Sequence, residues 1–251
     1  MDPREAALTL LRATVARLAD ELRRIDCGWV ARSQSLELVW ALNHVRLERP
    51  TPYADATALV AEHLAGLPFE HIVIEEEVGE ALEAEFLGNG WKVERDVVMA
   101  LAREPDRVVD TSTAVELPRR DALRLMADWL KAEMTLSAEA LQQLLRATCL
   151  EGEIWADRRL GALSEDGEAV AMTKLRGDGT TAWVEDVYVS PAARGRGLGR
   201  MLVTRAIELA RESDPRVVFI VADDDGWPKT LYAKLGFEPV GRLRSFHRGP
   251  G

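Results

Sequence analysis

The sequence predicts an α/β fold, a mixed β-sheet flanked by helices, and three observations carry that prediction. In the second half, β-branched runs alternate with leucine- and alanine-rich segments of helical period. The turn GDGT at 177–180 joins two of those runs as a hairpin. A β-branched run, a glycine-rich turn and an amphipathic segment then follow one another from 181 to 212.

Taken in order, Leu8, Leu11, Val15, Leu18 and Leu22 recur at helical spacing and predict an amphipathic N-terminal helix. A second helix is expected near 54–65, then a strand, an acidic turn, a helix and a strand over 71–101. Polar residues and prolines at 102–121 mark a seam, which divides the chain into 1–107 and 108–251. Beyond it the pattern reads as a strand near 108–117 and helices near 120–133 and 137–150. Strands are expected near 160–164, 168–176 and 181–189, and a helix over 197–212. A strand over 217–222, a helix near 227–235 and a strand over 237–246 complete the series.

Composition narrows the function. The 251 residues are 47% hydrophobic and 29% charged, as in globular protein, and the net charge of −10 argues against a basic nucleic-acid-binding face. The charge is uneven: 12 basic and 20 acidic side chains lie in 1–107, against 20 and 22 in 108–251. No apolar stretch approaches the roughly 20 residues of a membrane span, and no basic leader with a cleavage site opens the chain. Cys27 and Cys149 lie far from any CxxC, so neither a metal site nor a disulfide framework is indicated. These features together suit a cytoplasmic protein with no membrane or nucleic-acid partner.

The stretch "VSPAARGRGLGRMLV" (189–203) places three glycines and three arginines at the mouth of a helix. A helix N-terminus offers unpaired N–H groups and partial positive charge, and glycines let a phosphate approach the backbone. No Lys-Ser or Lys-Thr follows, which excludes a nucleoside-triphosphate loop, and GRGLGR after a hairpin is not the dinucleotide fingerprint. What remains is RxxGxG, matched by Arg194, Gly197 and Gly199. About thirty residues on comes "WPKTLYAKLGFEPVGR" (227–242). Together the two motifs resemble those of the GNAT superfamily of acyl-CoA N-acyltransferases, and the order of elements over 108–251 matches that fold.

The resemblance implies acetyl-CoA as cosubstrate and coenzyme A as product. It implies that Arg194, Gly195, Arg196, Gly197, Leu198, Gly199 and Arg200 bind the pyrophosphate. It further implies that Val187, Tyr188 and Val189 pair with the pantetheine arm, and that a backbone amide there polarises the thioester carbonyl. Tyr232 stands at the family's thiol-protonating tyrosine. Glu185, in "WVEDVYV", matches the glutamate that serves as base in polyamine acetyltransferases. Strand alternation puts Glu185, Val187 and Val189 on one face unless a bulge intervenes. Asp225 replaces an Asn that contacts the cofactor in many relatives; it can cap the following helix but cannot donate a hydrogen bond as Asn does. Pro228, where relatives carry Ala, fits a first helical turn.

The first half reads as a worn copy. Phe86–Gly90–Trp91 repeats the spacing of Tyr232–Gly236–Phe237, and "LVWALNHVRLERP" (38–50) parallels "TAWVEDVYVSP" (181–191), with Asn43 opposite Glu185. Phe86 lacks a hydroxyl, Asn43 cannot act as a base, and "TPYADATALV" (51–60) has no glycine to admit a pyrophosphate. His44, His63 and His71 lack metal-ligand spacing. The expectation is a truncated GNAT-like module, 1–107, packed against a catalytic GNAT domain, 108–251. It would be an N-acetyltransferase acting on a primary amine of a small molecule. The alternatives are a protein lysine or N-terminal amine as acceptor, or a regulatory module that binds acyl-CoA without turnover.

Overall fold

A computed structural model of the chain describes residues 2–75 and 77–249. Helix α1 (Pro3–Leu18) is capped by the Asp2 side chain, which accepts from the Arg4 amide. The first half continues with β1 (Glu21–Ile25), β2 (Gly28–Arg32), β3 (His44–Leu47), α2 (Tyr53–His63), β4 (Glu70–Glu75), α3 (Glu77–Gly88) and β5 (Lys92–Leu101). The second half brings β6 (Val115–Glu116), α4 (Arg119–Glu133), α5 (Ala138–Trp155), β7 (Arg158–Leu163), β8 (Ala169–Gly177) and β9 (Thr181–Val189). It ends with α6 (Leu198–Glu212), β10 (Val217–Asp223), α7 (Pro228–Lys234) and β11 (Phe237–Arg248).

Most expected elements of the second half form within a few residues of their predicted bounds. The strand expected over 108–117 shrinks to Val115–Glu116. Its first residues stay out of the sheet: Asp110 turns back to accept from the Ser112 amide, and Val108 is fully exposed. Helix α5 runs on to Trp155 and stops at Ala156, whose left-handed φ of 52° ends the ladder. In the first half, Asn43 lies in a short turn before β3 and not within a strand. Buried, it accepts from the Ser33 amide and donates to the Leu36 and Val39 carbonyls, so it clamps a loop.

Among the described residues, eleven strands join in one sheet, ordered β1-β2-β3-β4-β11-β5-β10-β9-β8-β7-β6. Sequence position does not predict its centre. Strand β5 of the first half is inserted between β10 and β11 of the second, antiparallel to both. Strand β11 reciprocates, lying between β5 and β4. Each half thus holds a parallel pair, β3 with β4 and β9 with β10, and each lends its last strand to the edge of the other's pair. The two halves share one sheet and do not merely pack face to face.

The lent strands leave their helices through matching turns, with Gly90 at φ 79° and Gly236 at φ 98°. A side chain on Gly236 would also meet the Arg103 carbonyl oxygen at 2.1 Å, so this turn admits only glycine. The Gly236 carbonyl accepts from the Ala102 and Arg103 amides, which fastens the end of β5 to the start of β11.

Two apolar layers cover the sheet over the second half. On one face Val184, Ile220, Val97 and Met99 pack with Leu202, Ala206 and Ile207 of α6 and Tyr232 of α7. On the other, Phe219, Val217, Val98 and Ala100 pack with Ala7, Leu8 and Leu10 of α1 and Trp155 of α5. The site lies where this double cover ends.

Candidate active site

The parallel pairing of β9 with β10 runs from Thr181–Val217 to Val184–Ile220 and stops there. Strand β9 continues to Val189 and β10 to Asp223, so the two part and leave an edge of β9 backbone facing the gap. The cause is local. Asp186 has φ 52°, and the register with β8 slips so that Asp186 and Val187 together oppose Thr173. In the first half β3 stays paired with β4 through its last residue, Leu47 to Ile74, so no such gap opens.

The bulge corrects the expected arrangement of faces. Val187 and Val189 pack toward α6, beside Leu198 and Leu231. Tyr188 is buried on the opposite side, stacked 6.0 Å from Trp129 of α4. Glu185, expected with Val187 and Val189, turns away from them, because the extra residue at Asp186 inverts the alternation. Its carboxylate meets the Arg176 guanidinium and lies 3.0 Å from the Lys174 ammonium, which is also 2.6 Å from Asp186. Arg176 reaches Asp157 at 3.2 Å and Glu151 of α5 at 3.0 Å. The Glu185 side chain is 11% exposed, and burial pushes its carboxyl up against the pull of Lys174 and Arg176. One oxygen, Oε1, meets both cations.

Next to the gap lies the glycine-rich turn. Gly195 and Gly197 hold φ near 80°, and a side chain on either would meet nothing within 4 Å. Gly197 precedes the first turn of α6 with no side-chain cap. Among the described residues, the amides of 195–200 reach no protein acceptor; the next, on Met201, reaches the Gly197 carbonyl. Six consecutive N–H groups at a helix N-terminus are a cradle for an anion. The exposed Arg194 folds back so that Nε donates to the Val189 carbonyl, and Arg196 is exposed beside it.

Two expected contributors are employed elsewhere. The Arg200 side chain is buried and donates to Asp106 at 2.6 Å, which ties α6 to the linker after β5 and leaves only its backbone amide to the cradle. Asp225 does not cap α7; it accepts from Arg95 of β5 at 2.8 Å, a cation that no nearby sequence announces. Both carboxylates answer arginines about a hundred residues distant, beyond the reach of motif reading.

Tyr232 lies on α7 against Phe237, facing the α6 side of the gap. Its hydroxyl makes no hydrogen bond to a described residue, and burial pushes its pKa up to about 12. A phenol so placed keeps its proton throughout the physiological range. The same apolar surroundings raise the proton affinity of any thiolate formed beside it. The cradle, the parted strands and the unengaged hydroxyl fit a pyrophosphate, an extended amide-bearing arm and a thioester in that order.

Residues 123–237 match the Acetyltransferase (GNAT) family. A rice protein named "Probable glucosamine 6-phosphate N-acetyltransferase 2" (Oryza sativa subsp. japonica) is 43% identical over 67 residues, 27% of this chain and 39% of that protein. The chain therefore spans well under half of that relative. The structure resembles a GCN5-related N-acetyltransferase from Kribbella flavida, with a TM-score of 0.65 and 17% identity over 100% of this chain and 96% of that one. It also resembles a tandem GNAT protein from the clavulanic acid biosynthesis pathway, with a TM-score of 0.52 and 17% identity over 99% and 96% of the two chains. At these identities the likeness concerns the fold.

Proposed function

Because residues 123–237 are a GNAT acetyltransferase domain, we propose that the protein transfers acetyl from acetyl-CoA directly to a primary amine on a small molecule. The observation that carries this reading is the parting of β9 from β10 beside six amides that lack acceptors. The backbone of 195–200, with Arg194 and Arg196, binds the pyrophosphate, and the free edge of β9 at Val187–Val189 pairs with the pantetheine arm. Acetyl-CoA supplies the thioester whose acetyl group is transferred. An amide on that edge stabilises the charge that builds on the acetyl oxygen, and Tyr232 delivers a proton to the sulfur.

The acceptor enters from the face opposite α6, the face that carries Glu185. There Glu185, Asp186, Lys174, Arg176 and Asp157 form a fixed ionic floor, while Asp96 adds a carboxylate that suits an ammonium group. The first half has no parted strands and a phenylalanine, Phe86, where the second has Tyr232, so it serves as scaffold and wall. We read 1–107 as the degenerate module and 108–251 as the catalytic one, joined by the exchanged strands. No helix among the described residues is long and apolar enough to cross a membrane. The reading implies the cytoplasm, which supplies acetyl-CoA.

The test is free-thiol release from acetyl-CoA across polyamines, amino acids, aminoglycosides, aryl amines and lysine peptides. Amine-dependent release greatest with a small polycationic amine is the expected result. Release with lysine peptides alone would move the acceptor to protein, and tight acetyl-CoA binding with no release would make the protein a sensor.

A further inference from the structure

Strand β5 belongs to the first half yet lies next to β10, one of the two parted strands, and one of its side chains shares a sheet face with Glu185. Val98 and Ala100 join Val217 and Phe219 beneath α1, so alternation puts Asp96 on that face, the one that also carries Glu185. In register Asp96 stands opposite Asp223, the last residue of β10. That is beyond the level of Val184 and Ile220, where β9 and β10 part. Asp96 is half-buried, and its carboxylate has no hydrogen bond or ion pair among the described residues. Glu185, by contrast, is ion-paired through Oε1 to Arg176 and Lys174.

We infer that Asp96, a residue of the first half, is the base that takes the proton of the acceptor ammonium, so that the exchanged strand completes the active site. This inference rests on the acetyl-transfer reading. The charged groups acting on it are acidic: Glu94 on its own strand, and Asp223 on β10 with Asp224 after it. Across β11 its partner is the apolar Leu243, while Arg242 and Arg244 turn to the other face, toward Asp224 and Glu83. From α1 the Arg4 side chain lies over Gly241, with Asp2 and Glu5 nearby in sequence. Lys174 is held by Glu185 and Asp186. Burial first, then Glu94, Asp223 and Asp224, push the Asp96 carboxyl up to about 7, which suits a base working near neutral pH.

The protons balance. The ammonium gives one proton to the Asp96 carboxylate, and the freed nitrogen lone pair forms the C–N bond to the acetyl carbon. The C–S bond breaks with its electron pair left on sulfur, and Tyr232 gives that sulfur a proton. The nitrogen loses its second proton, which restores the Tyr232 hydroxyl through water. Asp96 then releases its proton to solvent, so one ammonium and one thioester yield an amide, a thiol and one proton.

Two readouts test the inference. Carboxyl-carbon NMR of ¹³C-aspartate-labelled protein, with the signal assigned by its loss in Asp96→Asn, should show a midpoint near 7. A midpoint near the ordinary value of about 4 overturns the inference whether or not an acceptor is in hand. In amine-dependent thiol release, wild-type kcat/KM should rise with pH through about 7. Asp96→Asn should lose that limb and fall about a hundredfold or more with acetyl-CoA affinity unchanged, and Asp96→Glu should recover the limb in part. An Asn variant that keeps both rate and limb, while Glu185→Gln loses them, overturns it. A wild-type protein that binds acetyl-CoA but acetylates no amine contradicts acetyl transfer, and the titration still decides the state of Asp96.

Discussion

Gly197 offers a test in which folding and binding move in opposite orders. It holds φ 80° at the mouth of α6, and a side chain there would meet nothing within 4 Å. Gly197→Ala therefore costs only backbone strain, about 1–2 kcal/mol, which lowers Tm by about 2–8 °C in a chain of this size. Asp tolerates the left-handed region better than Ala, so Gly197→Asp should cost less stability. Its carboxylate, however, would stand beside the cradle amides. One like-charge contact at about 4 Å is worth about 4 kcal/mol at an effective dielectric of 20, roughly a thousandfold in Kd. Calorimetric titration with coenzyme A, beside thermal melts, should find Ala the less stable variant and Asp the weaker binder. Wild-type affinity in Gly197→Asp, or binding losses that simply follow the losses in Tm, would refute the phosphate cradle.

Other variants probe the framework. Arg176→Met leaves Glu185, Asp157 and Glu151 without their shared guanidinium and should cost about 3–5 kcal/mol, read as a lower urea midpoint with unchanged m; a loss under about 1 kcal/mol would contradict the ionic floor. Asp96→Asn should stabilise the protein at pH 8 and not at pH 4. The fold raises this carboxyl to about 7, so folded-state stability falls as pH climbs from the unfolded value to 7 and then levels. Three units amount to about 4 kcal/mol, the ceiling on the expected gain. Removing residues 1–107 withdraws β5 from between β10 and β11 and β4 from the far side of β11, baring three strand edges, so 108–251 alone should be insoluble or lack a cooperative melt. A soluble fragment with a sharp transition would contradict the exchanged-strand account.

The cradle and the helices around it were legible in the sequence because they are local. The turn, the helix start and the Tyr232 segment each lie within a dozen residues, and their spacing carries their geometry. What escaped was long-range or depended on a single dihedral angle. The exchange of β5 and β11 pairs residues more than a hundred positions apart, and a period-2 pattern does not say which strand lies alongside. The bulge at Asp186 inverts the side of Glu185, yet an aspartate at positive φ leaves no pattern in the sequence. Asp96, inside "VERDVVMAL", reads as an ordinary polar strand position until β10 is placed beside it.

The central claim is that the second half transfers acetyl with Tyr232 as proton donor. Its most direct test is amine-dependent thiol release from acetyl-CoA by the wild-type chain and by Tyr232→Phe, with coenzyme A affinity measured on both. Loss of about a hundredfold or more in rate with affinity retained is the predicted result. Equal rates in the two proteins would contradict it.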